Sequence, residues 1–301
     1  MAQPPWVKRK IRQRQRQWRR YGGLSRLPAR TAHNLRWRVS DPEEIARWTD
    51  RQLALDGYYW LFVLGLNNSG TSLVSRVLAS HPRVRSLPGE GQLLTNALPQ
   101  AVDYGARRNW TARLDVFHWT EEADPAPALR TRYDWALYYE PGPGVLLEKS
   151  PPNTVRARWL QANFSPSRFI GVVRHPYAVC EGVRRREGLS IEEAALHWRR
   201  GNEIMLDDAE SLERFLLVTY EDFATHPQEE LDRMESFLGL EEPFDRGVLE
   251  EPLPHHNVDG RVQRLTNLNE KSLKRLAPDE IETINRVAGP LMERLGYEEL
   301  A

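Results

Sequence analysis

Apolar residues along this chain alternate between two arrangements: short unbroken runs, and stretches in which they return every three or four positions. The first clear start is Asp41-Pro42-Glu43-Glu44, an N-cap residue, a proline at the first helical position and acids in the first turn. It predicts a helix through Trp48 and Leu53 that Asp56-Gly57 closes. Residues 58–64, Tyr-Tyr-Trp-Leu-Phe-Val-Leu, are an aromatic and aliphatic run of the kind that forms a strand buried on both faces. A turn over 65–70 leads into a helix over 69–80, with Leu73, Val74, Val77 and Leu78 at helical spacing. Downstream the alternation repeats, with strands at 145–147, 169–173 and 215–218 and helices over 153–163, 177–186, 191–212, 227–238 and 278–295. Strands separated by helices, without hairpin signals, predict an α/β fold whose parallel β-sheet is flanked by helices on both faces. Segments 85–145 and 240–275 are rich in Pro, Gly and Trp, show no period, and are expected to be loops that build a substrate pocket. No repeat or low-complexity linker follows residue 40, so residues 41–301 read as one domain behind a basic N-terminal extension, 1–40.

The 301 residues, 40% apolar and 28% charged, suffice for a sizeable core. Their zero net charge conceals an asymmetry. Residues 1–38 carry 12 Lys and Arg and no acid, which leaves 30 basic against 42 acidic residues in the rest. Such an extension suits an anionic partner, whether nucleic acid, a lipid surface, an acidic protein or the chain's own acidic body, or it is simply a solvated, partly helical face. Trp6, Trp18 and Trp37 speak for docking of some of it. The single cysteine, Cys180, excludes an internal disulfide or a thiolate metal cluster. No run approaches the roughly 18 to 20 apolar residues of a membrane span, and the basic residues between Lys8 and Arg20 interrupt any secretory-signal core. A cytoplasmic protein without an integral membrane segment is expected; nothing in the pattern speaks to its oligomeric state.

Gly65-Leu66-Asn67-Asn68-Ser69-Gly70-Thr71-Ser72 has the spacing of a phosphate loop, between a strand and a helix. Its glycines let the backbone approach an anion, and the first N–H groups of the following helix point at it. In a P-loop kinase or triphosphatase the residue after the second glycine is lysine. Here it is Thr71, and no apolar strand ends in an Asp suited to Mg²⁺, which weighs against NTP-dependent transfer. Hydroxyls at Ser69, Thr71 and Ser72 suit a single phosphate carrying a smaller terminal group. Taken alone, the loop is equally a glycine turn with no ligand.

It is followed, in order, by His81-Pro82, Glu148-Lys149-Ser150-Pro151, Val173-Arg174-His175-Pro176, Tyr220-Glu221-Asp222-Phe223, Phe237-Leu238-Gly239-Leu240 and Leu295-Gly296-Tyr297. Each motif is weak alone, but together, over residues 58–297, they resemble the sulfotransferases that use 3′-phosphoadenosine-5′-phosphosulfate (PAPS). The resemblance implies a P-loop-like three-layer sandwich, PAPS as donor with adenosine 3′,5′-bisphosphate as product, and in-line sulfuryl transfer to a hydroxyl or amine. It places Asn67, Asn68, Ser69, Gly70, Thr71 and Ser72 at the 5′-phosphosulfate, Arg174 at the 3′-phosphate, Tyr220 near the nucleotide, and Arg261 and Arg264 in a loop that closes over it.

Two positions depart from the family pattern. Asn68 stands where the family has lysine or arginine beside the leaving-group oxygen, and Gly182 where it has a serine on the 3′-phosphate. Arg186, one turn after Gly182 on the same helix face, is expected to reach past the missing side chain. Arg184 and Arg185 are either spares or a solvated helix end. Glu90, with glycine on both sides and lying where several branches of the family place a catalytic glutamate, is the expected general base. Lys149 is the expected substitute for the cation missing at Asn68. His255-His256 lies in a Pro-rich loop and is a second candidate for the base or the acceptor wall. Sulfuryl transfer requires no metal, and no spacing of His or Cys here forms a metal site. The two departures leave open a catalytically weak nucleotide-binding protein of the same fold. Trp110, Phe117, Trp119 and Trp135 are candidates for the lining of an acceptor pocket that takes a small aromatic, glycan or lipid-like alcohol.

Overall fold

The computed structural model describes residues 26–53, 58–140, 142, 144–250, 253–254, 262–263 and 265–300. Five strands, Tyr59–Leu64 (β1), Val84–Ser86 (β2), Val145–Glu148 (β3), Ser167–Val173 (β4) and Phe215–Thr219 (β5), form one sheet in the order β2-β3-β1-β4-β5. Every neighbouring pair is parallel. Leu253–Pro254 (β6) and Val262–Gln263 (β7) form a separate antiparallel pair.

The helices follow the hydrophobic period. Leu27–Val39 (α1) and Pro42–Leu53 (α2) precede the sheet, and the Glu44 N–H donates to the N-cap carboxylate of Asp41 at 2.8 Å. Thr71–Leu78 (α3) joins β1 to β2; Leu114–Phe117 (α4) and Ala126–Ala136 (α5) lie between β2 and β3. Ala157–Asn163 (α6), Pro176–Glu187 (α7) and Ile191–Ala209 (α8) follow, the last opened by a reciprocal cap between Ser190 and Glu193. Tyr220–Thr225 (α9), Pro227–Leu238 (α10), Asn269–Leu273 (α11) and Pro278–Arg294 (α12) complete the set.

Alternate residues of β1 serve opposite layers. Trp60, Phe62 and Leu64 enter one core with Leu160 of α6, Val179 of α7, Trp198 of α8 and Ile284 of α12. Leu61 and Val63 enter the other with Val74 and Val77 of α3 and Met234 of α10. The architecture is therefore the three-layer α/β sandwich expected of a buried parallel sheet. Each such side chain removed from water contributes about 1.5–3 kcal/mol before the cost of ordering it.

Three elements differ from the local pattern. The single helix predicted over 153–163 is a tight 3-10 turn, Pro151–Val155, followed by α6, because the side chains of Asn153 and Thr154 are drawn into bonds with Glu148 and Gly65. The segment 85–145, predicted to be loop, contains α5, whose Tyr133 and Asp134 are buried. The end of the basic extension folds as α1. Its buried His33 stacks on Tyr133 with ring centres 3.7 Å apart, and its Nε2 lies 3.1 Å from Asp134 Oδ1.

Candidate active site

Glu148, Leu64, Val173 and Thr219 end β3, β1, β4 and β5, so whatever follows them shares the carboxyl edge of the sheet. In open parallel sheets ligands bind at that edge, between neighbouring strands whose outgoing connections run in opposite directions. Here those strands are β1, which leads to β2 on one side, and β4, which leads to β5 on the other.

The loop after β1 is shaped by backbone that only certain residues tolerate. Gly65, Asn68 and Gly70 have φ of 140°, 75° and 95°. A Cβ on Gly70 would stand 2.7 Å from Cδ2 of Tyr220, so the ring lies directly on the loop. The Gly65 N–H donates to Thr154 Oγ1 at 2.7 Å, and Asn67 Oδ1 accepts from Trp110 Nε1 at 3.2 Å. The first N–H groups of α3, from Thr71 and Ser72, have no acceptor within their own helix. Ser69 is fully buried and its Oγ has no protein partner; Asn68 Nδ2 is also buried without one. Donors in that condition are satisfied by water or by a ligand, and a phosphate oxygen fits them.

Arginines surround this loop. Arg174, just past β4, donates from Nη1 to the carbonyl of Asn68 at 3.0 Å and from Nε to Asn269 Oδ1 at 2.8 Å. Its guanidinium carbon lies 4.0 Å from the centre of the Tyr220 ring. Burial pushes its pKa down, as expected of a cation with much of its hydration removed. Asn269 in turn donates to Glu221, which also receives the His175 N–H at 3.1 Å and the Tyr297 hydroxyl at 2.9 Å. Tyr220 accepts the Leu268 N–H at 3.2 Å and donates to the Thr266 carbonyl at 3.0 Å, tying α11 to the loop.

The two positions that depart from the family pattern touch each other. A Cβ on Gly182 would stand 3.0 Å from Asn68 Nδ2, so the amide of the loop asparagine fills the space that a side chain at 182 would occupy. Arg186, one turn on, donates from Nη1 to Asn68 Oδ1 at 2.7 Å. A guanidinium that sequence reasoning missed, Arg108, approaches the same oxygen at 3.4 Å. It comes from a segment without periodicity, and no local signal marked it.

On the other side of β1, Glu90 and Lys149 form an ion pair, Oε1 to Nζ, at 3.2 Å. Gln92 Nε2 donates to Glu90 Oε2 at 3.0 Å. The turn carrying Glu90 is clamped to the end of β3 by its backbone: the Gly91 N–H donates to Glu148 Oε1 at 2.9 Å and the Gln92 N–H to Ser150 Oγ at 3.1 Å. Trp135 Nε1 donates to the Gly91 carbonyl at 2.9 Å. A Cβ on Gly91 would meet the Trp135 ring at 2.8 Å and Glu148 Cγ at 2.9 Å, so only glycine allows the approach. Glu148 is fully buried and also accepts from Ser150 and Asn153. Burial pushes its pKa up to about 7, opposed by the hydrogen bonds from Ser150 and the Gly91 N–H and by Lys149 and Arg156. Burial likewise lowers that of Arg156 to about 10.

Three of the four aromatic residues expected to line an acceptor pocket do other work. Trp110, Phe117 and Trp135 are buried in the core, and Trp110 and Trp135 brace the loop and the glutamate turn through their N–H groups. Trp119 is half-buried, 4.9 Å from Trp159 and 5.5 Å from the Arg156 guanidinium. His81 is structural: its Nε2 meets the Glu242 carbonyl at 2.8 Å and its Nδ1 accepts the Arg83 N–H. Arg261, Arg264, His255, His256, Trp6, Trp18 and the basic residues up to Arg20 lie outside the described residues. Among the described residues no helix is long and apolar enough to cross a membrane.

Against known proteins, the chain is similar to protein-tyrosine sulfotransferase A of Caenorhabditis elegans, 23% identical over 276 residues that cover 81% of this chain and 69% of the relative. Protein-tyrosine sulfotransferase 1 of Danio rerio is 23% identical over 262 residues, covering 79% and 72%. Among solved structures, a Mycobacterium avium sulfotransferase superposes with a TM-score of 0.54 at 17% identity, covering 84% of this chain and 82% of that one. The sulfotransferase domain of the Synechococcus olefin synthase gives 0.52 at 22% identity, covering 80% and 95%. These structures share the fold. The model of the sulfotransferase family matches residues 61–245, from β1 past α10 and more than half of the chain, with the phosphate loop, Glu90, Lys149, Arg174 and Tyr220 all inside the match; the protein belongs to the sulfotransferase family.

Proposed function

We propose that the protein transfers a sulfuryl group from PAPS to a hydroxyl or amine acceptor by in-line displacement, with Glu90 as general base. The observation that carries the reading is the set of donors at the loop: Arg174 and Arg186 converge on Asn68, while Ser69 Oγ and Asn68 Nδ2 are buried without a protein acceptor. Bound PAPS supplies the sulfuryl group and a bisphosphate leaving group. The loop N–H groups and hydroxyls hold the phosphosulfate end, Arg174 and Arg186 take the 3′-phosphate, and Tyr220 backs the nucleotide side of the loop. Glu90 accepts the proton of the acceptor as the new S–O bond forms, and Lys149 offsets the charge on the departing oxygen. The names of the curated relatives make the phenol of a tyrosine in a peptide the first acceptor to test, ahead of the small aromatic, glycan and lipid-like alcohols that the composition also allows.

The test is thermal unfolding with adenosine 3′,5′-bisphosphate, with 5′-AMP and ATP plus Mg²⁺ as controls, followed by sulfate transfer from PAPS to a tyrosine peptide. A hundredfold excess of bisphosphate over its Kd is expected to raise the melting temperature by roughly 5 °C. Stabilisation by ATP alone would move the protein to the kinase reading. Binding without transfer to any acceptor would leave a nucleotide-binding protein of the same fold.

A further inference from the structure

Asn68 can donate or accept a hydrogen bond but carries no charge, and its side chain packs on α7: Nδ2 lies against Gly182 without an acceptor, and Oδ1 accepts from Arg186 at 2.7 Å. The second group at that oxygen is Arg108 Nη1, at 3.4 Å. Two guanidiniums on one neutral acceptor repel each other, and an anion bound beside them eases that repulsion.

Arg108 is held there by a built wall. Arg107, with φ of 46°, turns the chain so that both arginines face Glu187 at the end of α7, with Arg107 Nε 2.9 Å and Arg108 Nε 3.2 Å from its two carboxylate oxygens. One carboxylate shared by two guanidiniums leaves the pair with a net positive charge. The next residues lock the segment to the loop and to α8. Trp110 donates to Asn67, and Thr111 Oγ1 is 2.8 Å from Nδ1 of the buried His197. Arg186 forms no ion pair among the described residues; Glu181 and Glu187 act on it only from a distance, and Glu187 is already shared by Arg107 and Arg108, so three guanidiniums draw on few carboxylates.

We propose that Arg108, in addition to the Lys149 assigned above to the departing oxygen, delivers to the bound donor positive charge that residue 68 does not carry, reaching the loop from the wall segment instead of from within it. This rests on the PAPS reading and adds a binding residue to it. The loop keeps its left-handed asparagine, packed on a glycine, and the cation comes from a neighbouring element 40 residues further along the chain.

The experiment measures the Kd of adenosine 3′,5′-bisphosphate, and the melting temperature of the free protein, for the wild type, Arg108→Ala, Arg108→Lys and the double variant Asn68→Lys/Arg108→Ala. Arg108→Ala is expected to bind roughly ten- to a hundredfold more weakly, the scale of one lost charged contact. Arg108→Lys is expected to retain part of the affinity, and Asn68→Lys to recover it in the Arg108→Ala background by putting the charge back on the loop. Unchanged affinity in Arg108→Ala overturns the inference while leaving the donor reading intact. Equal losses in the alanine and lysine variants, with a lower melting temperature and no recovery from Asn68→Lys, also overturn it, since that is the pattern of a lost brace. A wild type that binds no bisphosphate removes the donor reading itself, and this inference with it.

Discussion

Arg174 and Arg186 meet neutral groups, whereas Lys149 meets a carboxylate. On the loop side of β1, Arg174 and Arg186 are held by a carbonyl, two amide oxygens and the face of a tyrosine ring and form no ion pair among the described residues, while Arg108 beside them shares Glu187 with Arg107. On the Glu90 side, cation and anion are paired with each other at 3.2 Å, and each offsets the other. The two sides are also fastened differently. Side chains of Arg186 on α7 and Tyr220 on α9 meet the loop, while the Glu90 turn is pinned through its backbone to a buried glutamate and a buried tryptophan. The first arrangement suits binding a charged ligand whose position is set by many contacts. The second suits holding one carboxylate where a proton must be taken, without using that carboxylate as the anchor.

If the division holds, a substitution at Glu90 separates the two sides. Glu90→Gln keeps the shape and the amide contact with Gln92 but removes the base. Initial rates of transfer from PAPS are expected to fall about 10²- to 10⁴-fold, while bisphosphate affinity measured by calorimetry stays within about twofold. A parallel loss of affinity would mean that Glu90 belongs to the donor site.

A smaller test uses glycines. Gly91→Ala drives a methyl into Trp135 and Glu148, and Gly70→Ala drives one into Tyr220 at a φ of 95° that disfavours any side chain. Each costs about 1–3 kcal/mol, or roughly 2–6 °C in melting temperature for a chain of this size. Their functional signatures should differ: Gly91→Ala lowers turnover more than bisphosphate affinity, and Gly70→Ala lowers affinity more than turnover at saturating donor. Identical signatures from the two variants would show that the sides work as one unit.

The loop side was the more legible in the sequence, for a physical reason. Its parts are short segments in which strand, glycine turn and helix succeed one another, and such local order leaves a pattern: β1, the loop, α7 and the Tyr220 turn lie within one or two residues of their predicted places. Even the helix over 227–238 has the bounds that Pro227 and Gly239 imply. What depends on contacts between distant segments left no such trace. Arg108 reaches Asn68 from an aperiodic stretch, and Trp110 and Trp135, which looked like pocket lining, are core side chains whose N–H groups brace the site. The helix over 153–163 breaks because Thr154 accepts from Gly65, 89 residues earlier, and no window of local sequence contains both. Contact between Asn68 and Gly182 likewise joins two departures that, along the chain, looked independent.

The buried anchor beneath Glu90 provides the finest test. Glu148 has its pKa raised from 4.5 to about 7, chiefly by burial, so between those values the folded protein keeps a proton that the unfolded chain has released. Its contribution to stability is therefore fully present below about pH 4.5 and is lost as pH rises through 7. His197 acts in the opposite sense. Burial pushes it down to about 3, so its contribution is present above about pH 6.5 and lost as pH falls. The raw profile of the protein mixes the two, but the difference between wild type and Glu148→Gln isolates the glutamate. From pH 6 to pH 8 the advantage of the wild type should shrink by about 1 kcal/mol, roughly 2 °C in melting temperature. The lost proton also turns the acceptor of the Gly91 N–H into a full carboxylate, which grips the glutamate turn more firmly while the loop side is unaffected. Turnover in the wild type should accordingly gain relative to Glu148→Gln over the same interval, with the ratio of bisphosphate affinities constant. A flat difference curve would mean that Glu148 is ionised throughout, and that the buried clamp holds the Glu90 turn equally well at every pH.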